Sequence, residues 1–90
     1  MKGNDGTPLT KISGVIIPAD WDQDGKVIGV AISTYDEDEY RVEEQVRGQE
    51  LLQHVRKGVE VVGWAGVEKG KKKITVKSYR LRRYPLGQGR

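Results

Sequence analysis

Ninety residues with no cysteine and a formal charge of +3 already narrow the field. A chain of this length holds material for one compact core rather than two, and without thiols neither disulfides nor thiolate-bound metals can support it. The opening Met1-Lys2-Gly3-Asn4-Asp5-Gly6 has no apolar stretch, and no later run approaches the length of a membrane span. The expectation is a soluble, cytoplasmic protein with no membrane partner.

Residues 1–10 are rich in Gly, Asn, Asp and Thr and read as a flexible N-terminal tail. The domain proper occupies residues 11–82. Ile12-Ser13-Gly14-Val15-Ile16-Ile17 is β-branched and apolar, as a strand requires, and Pro18 is expected to end it because proline cannot donate to a ladder. Residues 20–25 carry turn chemistry, with Gly25 suited to positive φ. Residues 26–35 alternate, putting Ile28, Val30 and Ile32 on one face and Gly29, Ala31 and Ser33 on the other. These two strands should pair as an antiparallel hairpin.

The acidic run Asp36-Glu37-Asp38-Glu39 leads into a short third strand, Tyr40-Arg41-Val42-Glu43. A helix is expected over residues 48–57, with Leu51, Leu52 and Val55 forming its apolar stripe. Arg56 and Lys57 would sit where the helix dipole favours cations, and Gly58 would take the left-handed position that closes it. Residues 59–67 make a fourth strand containing Gly63 and Gly66, residues 68–72 a turn, and residues 73–81 a fifth strand. Residues 83–90, with Pro85, Gly87 and Gly89, read as a flexible C-terminal tail.

The order is thus β-β-β-α-β-β. Five short strands in an open sheet would leave two unpaired edges, and closure removes them. Gly14 and Gly63, inside strands one and four, suit the sharp coiling that closure demands. The order, the Ile12-x-Gly14-x-Ile16 opening and Gly58-Val59-Glu60-Val61-Val62-Gly63 after the helix resemble an oligonucleotide/oligosaccharide-binding (OB) domain over about residues 11–82. That resemblance implies an all-β fold, a small five-stranded Greek-key barrel with one helix between strands three and four. It also implies that strand five lies between strands three and four. An SH3-like barrel, also small and five-stranded, is disfavoured by the placed helix.

Catalysis finds few residues to work with. His54 is the only histidine and reads as a flanking helix residue, and no serine sits in a nucleophile-elbow setting. The expectation is a protein that is not an enzyme and needs no cofactor. Asp20-x-Asp22-x-Asp24-Gly25 matches the first half of a calcium loop, but Ala31 stands where a bidentate Glu is required. A solvated hairpin turn is the plain reading, and a weak Ca²⁺ site at Asp20, Asp22 and Asp24 is its alternative.

The charge distribution points to a polyanionic partner. Residues 1–45 carry four Lys/Arg against ten Asp/Glu, and residues 46–90 carry twelve against three, a formal −6 and +9. Alternation puts Glu60, Val62 and Trp64 outward on strand four, Lys73, Thr75 and Lys77 outward on strand five, and Arg41 outward on strand three. In the order the resemblance implies, Arg41, Trp64, Lys73 and Lys77 share one outer surface. Lys71 and Lys72 on the adjoining turn, with Arg80, Arg82 and Arg83, would extend it. Cations for a phosphate backbone beside a flat ring for stacking are what single-stranded nucleic acid requires. The loops that flank the ligand groove in OB domains would here be one acidic turn and one lysine-rich turn, a mixed mouth. The alternative ligand is a protein docked on Asp36-Glu37-Asp38-Glu39 and Glu43-Glu44.

Overall fold

The computed structural model describes residues 8–43 and 46–82. The expected tails therefore lie mainly outside the described residues, as does Arg83, although Thr10 already belongs to the first strand. Five strands, β1 (Thr10–Trp21), β2 (Val27–Thr34), β3 (Glu39–Val42), β4 (Gly58–Glu68) and β5 (Lys71–Arg82), close into a barrel in the order β1-β2-β3-β5-β4. Every neighbouring pair is antiparallel except β3 and β5, which run parallel. A short helix, α1 (Val46–Glu50), and a 3-10 turn, Leu51–His54, connect β3 to β4. The fold is a small all-β barrel with one short helical segment. Among the described residues, no helix is long and apolar enough to cross a membrane.

The core is the sum of the inward faces. Ile12 and Ile16 from β1, Val30 and Ile32 from β2, Val59 and Val61 from β4, and Ile74 and Val76 from β5 form one buried cluster. Leu51 enters it from the helical segment with no exposed surface. Each such side chain gains about 1.5–3 kcal/mol by leaving water, so the barrel interior carries most of the driving force. Leu52, Val55, Tyr40 and Tyr79 pack around it.

Strand β1 is long because it serves two neighbours. Its first half pairs with β4 from Thr10 to Val15, its second half with β2 from Gly14 to Trp21, and Gly14 and Val15 pair with both. At that crossing a Cβ on Gly14 would lie 2.1 Å from the Ser33 carbonyl oxygen, so only glycine fits. Gly63 is equally close to the Thr75 carbonyl, at 2.1 Å. The β4–β5 hairpin closes more tightly than expected. Glu68 pairs with Lys71 around Lys69 (φ 54°) and Gly70 (φ 79°), the two left-handed residues that a hairpin turn of matching twist needs.

Three expectations are corrected. Pro18 does not end β1, which runs on to Trp21. The Ile16 amide donates to the Lys57 carbonyl, away from β2, so the Pro18 nitrogen two residues later faces the same side. The β1–β4 pairing ends at Val15, so on that side Pro18 withholds no ladder bond.

Ile28 does not share the inward face of Val30 and Ile32 but is 47% exposed. Asp20 pairs with Gly29 and Trp21 with Val27, so Ile28 is an extra residue at a bulge and is turned outward. Val27 packs on the core instead.

The helix begins earlier and ends sooner than residues 48–57. Val55 is already extended (φ −57°, ψ 136°), the Arg56 amide donates to Ile16 O, and Arg56, not Gly58, takes the left-handed conformation (φ 77°). Bonding to β1 wins over continued helix, and Gly58 is free to start β4.

Candidate functional site

A cleft of about 620 Å³ opens on the barrel surface between the two hairpins. The β1–β2 hairpin contributes Asp20, Ile28 and Gly29, and the end of β3 contributes Arg41, Val42 and Glu43. The β4–β5 hairpin contributes Glu68, Lys69 and Lys71 to Lys73. The wall thus holds five cationic side chains and three acidic ones. The parallel register of β3 and β5 places Arg41 beside Lys73, which brings two cations to the middle of the cleft.

Neither central cation is bare. The Arg41 guanidinium donates to Asp20 Oδ2 across the sheet. Lys73 Nζ lies 3.1 Å from Glu68 Oε1 and 3.5 Å from Glu43 Oε2. Its hydrogen bond to Glu68, then the field of Glu43, raise its pKa above the ordinary 10.5. Lys72 reaches the other way, to Asp38 Oδ1 at 2.8 Å, with its ammonium 5.8 Å from the Tyr40 ring centre. The Asp38 hydrogen bond likewise raises the Lys72 pKa. Lys69 and Lys71 at the rim have no ion pair among the described residues.

The other expected site residues are placed as follows. Trp64 pairs with Thr75 and points to the face opposite buried Gly63 and Val76. It is half-buried and does not line the cleft, though it stands two positions along β4 from Gly66, the partner of Lys73. Lys77 is the unpaired residue at the β4–β5 irregularity, exposed and away from the cleft. Arg80 is bonded to Glu60 at 3.3 Å, and Arg82 ends β5 opposite Gly58. Arg41, Lys71, Lys72 and Lys73 are therefore brought to one cleft, while Lys77, Arg80 and Arg82 are not among its lining residues.

Sequence reasoning did not single out Ile28 or Glu43 as wall residues, whereas the lysine-rich turn over residues 68–72, expected to flank the groove, contributes Glu68, Lys69, Lys71 and Lys72 to the cleft. Ile28 carried no local signal, because its outward turn depends on the irregular pairing of β1 with β2.

The aspartate-rich turn is held by its own backbone. Asp22 Oδ1 accepts the amides of Asp24 and Lys26, each at 2.9 Å, and the Asp22 amide donates to Lys26 O. Asp20 faces Arg41, and Asp24 is exposed. No three His, Cys, Asp or Glu side chains among the described residues are grouped to hold a metal ion.

His54 lies in the 3-10 turn, its ring tilted against Tyr79 with centres 6.4 Å apart and its buried Nδ1 without a hydrogen-bond partner among the described residues. The Tyr79 hydroxyl donates to Glu50 Oε1 at 2.9 Å, and burial, followed by that bond, raises the phenol pKa. No protein-family model, curated protein or solved structure matches this chain.

Proposed function

We propose that this chain is a soluble cytoplasmic, non-enzymatic binding module of OB type that holds single-stranded nucleic acid in the cleft between its two hairpins. The observation that carries the reading is the cleft itself. It is open, it crosses the faces of β2, β3 and β5, its cations outnumber its anions, and its rim lysines Lys69 and Lys71 have no ion pair among the described residues. The strand order with β5 between β3 and β4 supports the OB assignment. Phosphates meet Lys69 and Lys71 first, then Arg41 and Lys73. Trp64, on the neighbouring outward face, offers a ring for a base, worth about 1–3 kcal/mol per stack.

Little sequence preference is expected. Reading a base edge takes fixed hydrogen-bonding groups, and no polar or charged residue is buried among those described. His54 lies in the helical segment and does not line the cleft, so a strand held there does not meet it.

Titrating short labelled single strands at about 50 and 200 mM salt tests the proposal. Log affinity should fall linearly with log salt, by roughly 0.7 per phosphate neutralised. Absence of binding at the lower salt would sink it.

A second reading, a protein partner on the acidic turn, is favoured by Asp36, Glu37 and Glu39, whose side chains have no ion pair among the described residues. Sedimentation at low and high salt, alone and with a basic protein, separates the two readings.

A further inference from the structure

We infer that Asp20 and Glu68 are resident competitors for ligand phosphate, occupying in the free protein the cation positions a nucleic-acid backbone would take. The inference rests on the single-strand reading above and adds a regulation of that same cleft. Asp20 is bound to Arg41 and Glu68 to Lys73, the two cations that the β3–β5 register sets side by side. All four side chains line the cleft. A carboxylate oxygen and a phosphate oxygen satisfy the same N–H donors with the same sign of charge, so one can replace the other on Arg41 and Lys73.

The arrangement suits exchange rather than permanent pairing. The Asp20 and Glu68 side chains are 47% and 62% exposed, so each can swing into water without losing core contacts. Exposed pairs of this kind are held weakly, and giving one up costs at most about fivefold in affinity. Lys69 and Lys71 supply the initial attraction at the rim.

A lone phosphate must displace the tethered carboxylates without first being held at the rim. A backbone with successive phosphates can replace both at once while already held by the rim lysines. The cleft is thereby set to reject small phosphates and accept phosphodiester chains.

The test is a comparison of Asp20→Asn, Glu68→Gln and a control, Glu37→Gln, which removes the same charge from a turn residue that does not line the cleft. Affinity for a labelled single strand is measured at constant low salt, with a melting curve on each variant to establish folding. Asp20→Asn and Glu68→Gln should each tighten binding by about threefold to fivefold, the effect of removing one like charge roughly 4 Å from a phosphate in water. Glu37→Gln should change it by less than about twofold, because Glu37 is exposed to solvent and does not line the cleft.

Failure of either cleft variant to tighten, with wild type still binding in a salt-dependent way, overturns the inference and leaves the nucleic-acid reading intact. Equal tightening by Glu37→Gln also overturns it, since net charge alone would then explain the gain. If wild type and variants all fail to bind at low salt, the reading and the inference fall together.

Discussion

An alanine at position 14 has no room for its methyl group. The ideal Cβ lies 2.1 Å from the Ser33 carbonyl oxygen and 2.7 Å from both the Ser33 carbonyl carbon and Thr34 Cα, against ordinary contacts that begin at 3.4 Å. The shortfall of roughly 1.3 Å must come from backbone, because every atom met is backbone. Strand β1 cannot simply drift away from β2, since Gly14 also pairs with Val59 of β4 on its other side.

Overpacking of this kind costs about 1–3 kcal/mol, and restraint on both sides places Gly14→Ala near the upper end. Replacing glycine also stiffens the unfolded chain, a stabilisation of only about 0.4–1 kcal/mol, so the clash wins. A net loss of about 2 kcal/mol corresponds to roughly 8–16 °C in a domain this small. Circular-dichroism melts of wild type and variant, under matched conditions, measure it. A melting temperature within about 3 °C of wild type would refute the argument that this crossing requires glycine.

Leu51→Ala should cost about 3–5 kcal/mol, because it empties a fully buried position that plugs the barrel from the helical segment; urea unfolding reads the difference. Asp22→Ala should lose about 0.5–1.5 kcal/mol by freeing the amides of Asp24 and Lys26, whereas Asp22→Asn keeps the accepting oxygen and should stay near wild type in the same assay. Stability should also decline at alkaline pH. The folded-state pKa values of Tyr79, Lys72 and Lys73 are raised, so their stabilising contribution is complete below their ordinary values of 10.0 and 10.5 and is lost as pH rises through the higher folded values. Melting temperatures measured from neutral pH upward should hold level and then fall above about pH 10, and Tyr79→Phe should lessen that fall. A flat profile through pH 11 would contradict the assignment.

Much of the barrel could be read from alternation and punctuation. The five strands, both hairpins and the glycines of β1 and β4 follow from short-range patterns that a chain carries locally. The errors share a different cause. Ile28 turns outward because β1 and β2 each insert an extra residue, and a bulge depends on both partners at once. Pro18 is tolerated because of where β4 begins, and helix 48–57 is cut short because residues 56 and 57 bond to β1. Neither fact is present in the local sequence.

The cleft was partly legible. Arg41 and the lysines of β5 could be assembled from strand order, but their charge state as a group could not. Arg41 meets an aspartate 21 residues away and Lys72 one 34 residues away, so the field a ligand encounters is set by tertiary pairing. Composition counted the cations correctly and said nothing of which ones are already held.

The barrel is not equally strong around its circumference. The parallel join of β3 to β5 consists of two residue pairs, Arg41 with Lys73 and Val42 with Ile74, followed by the Glu43 amide donating to Ile74 O at 3.0 Å. The β4–β5 hairpin, by contrast, runs through eleven pairs. The short join is where the cylinder should breathe, and it lies under the cleft. A ligand that gripped Arg41 and Lys73 together, as the single-strand proposal holds, would clasp that join and so couple occupancy to closure of the cylinder. Slower hydrogen exchange at the Glu43 amide on adding a single strand, with the β4–β5 amides unchanged, would be its signature.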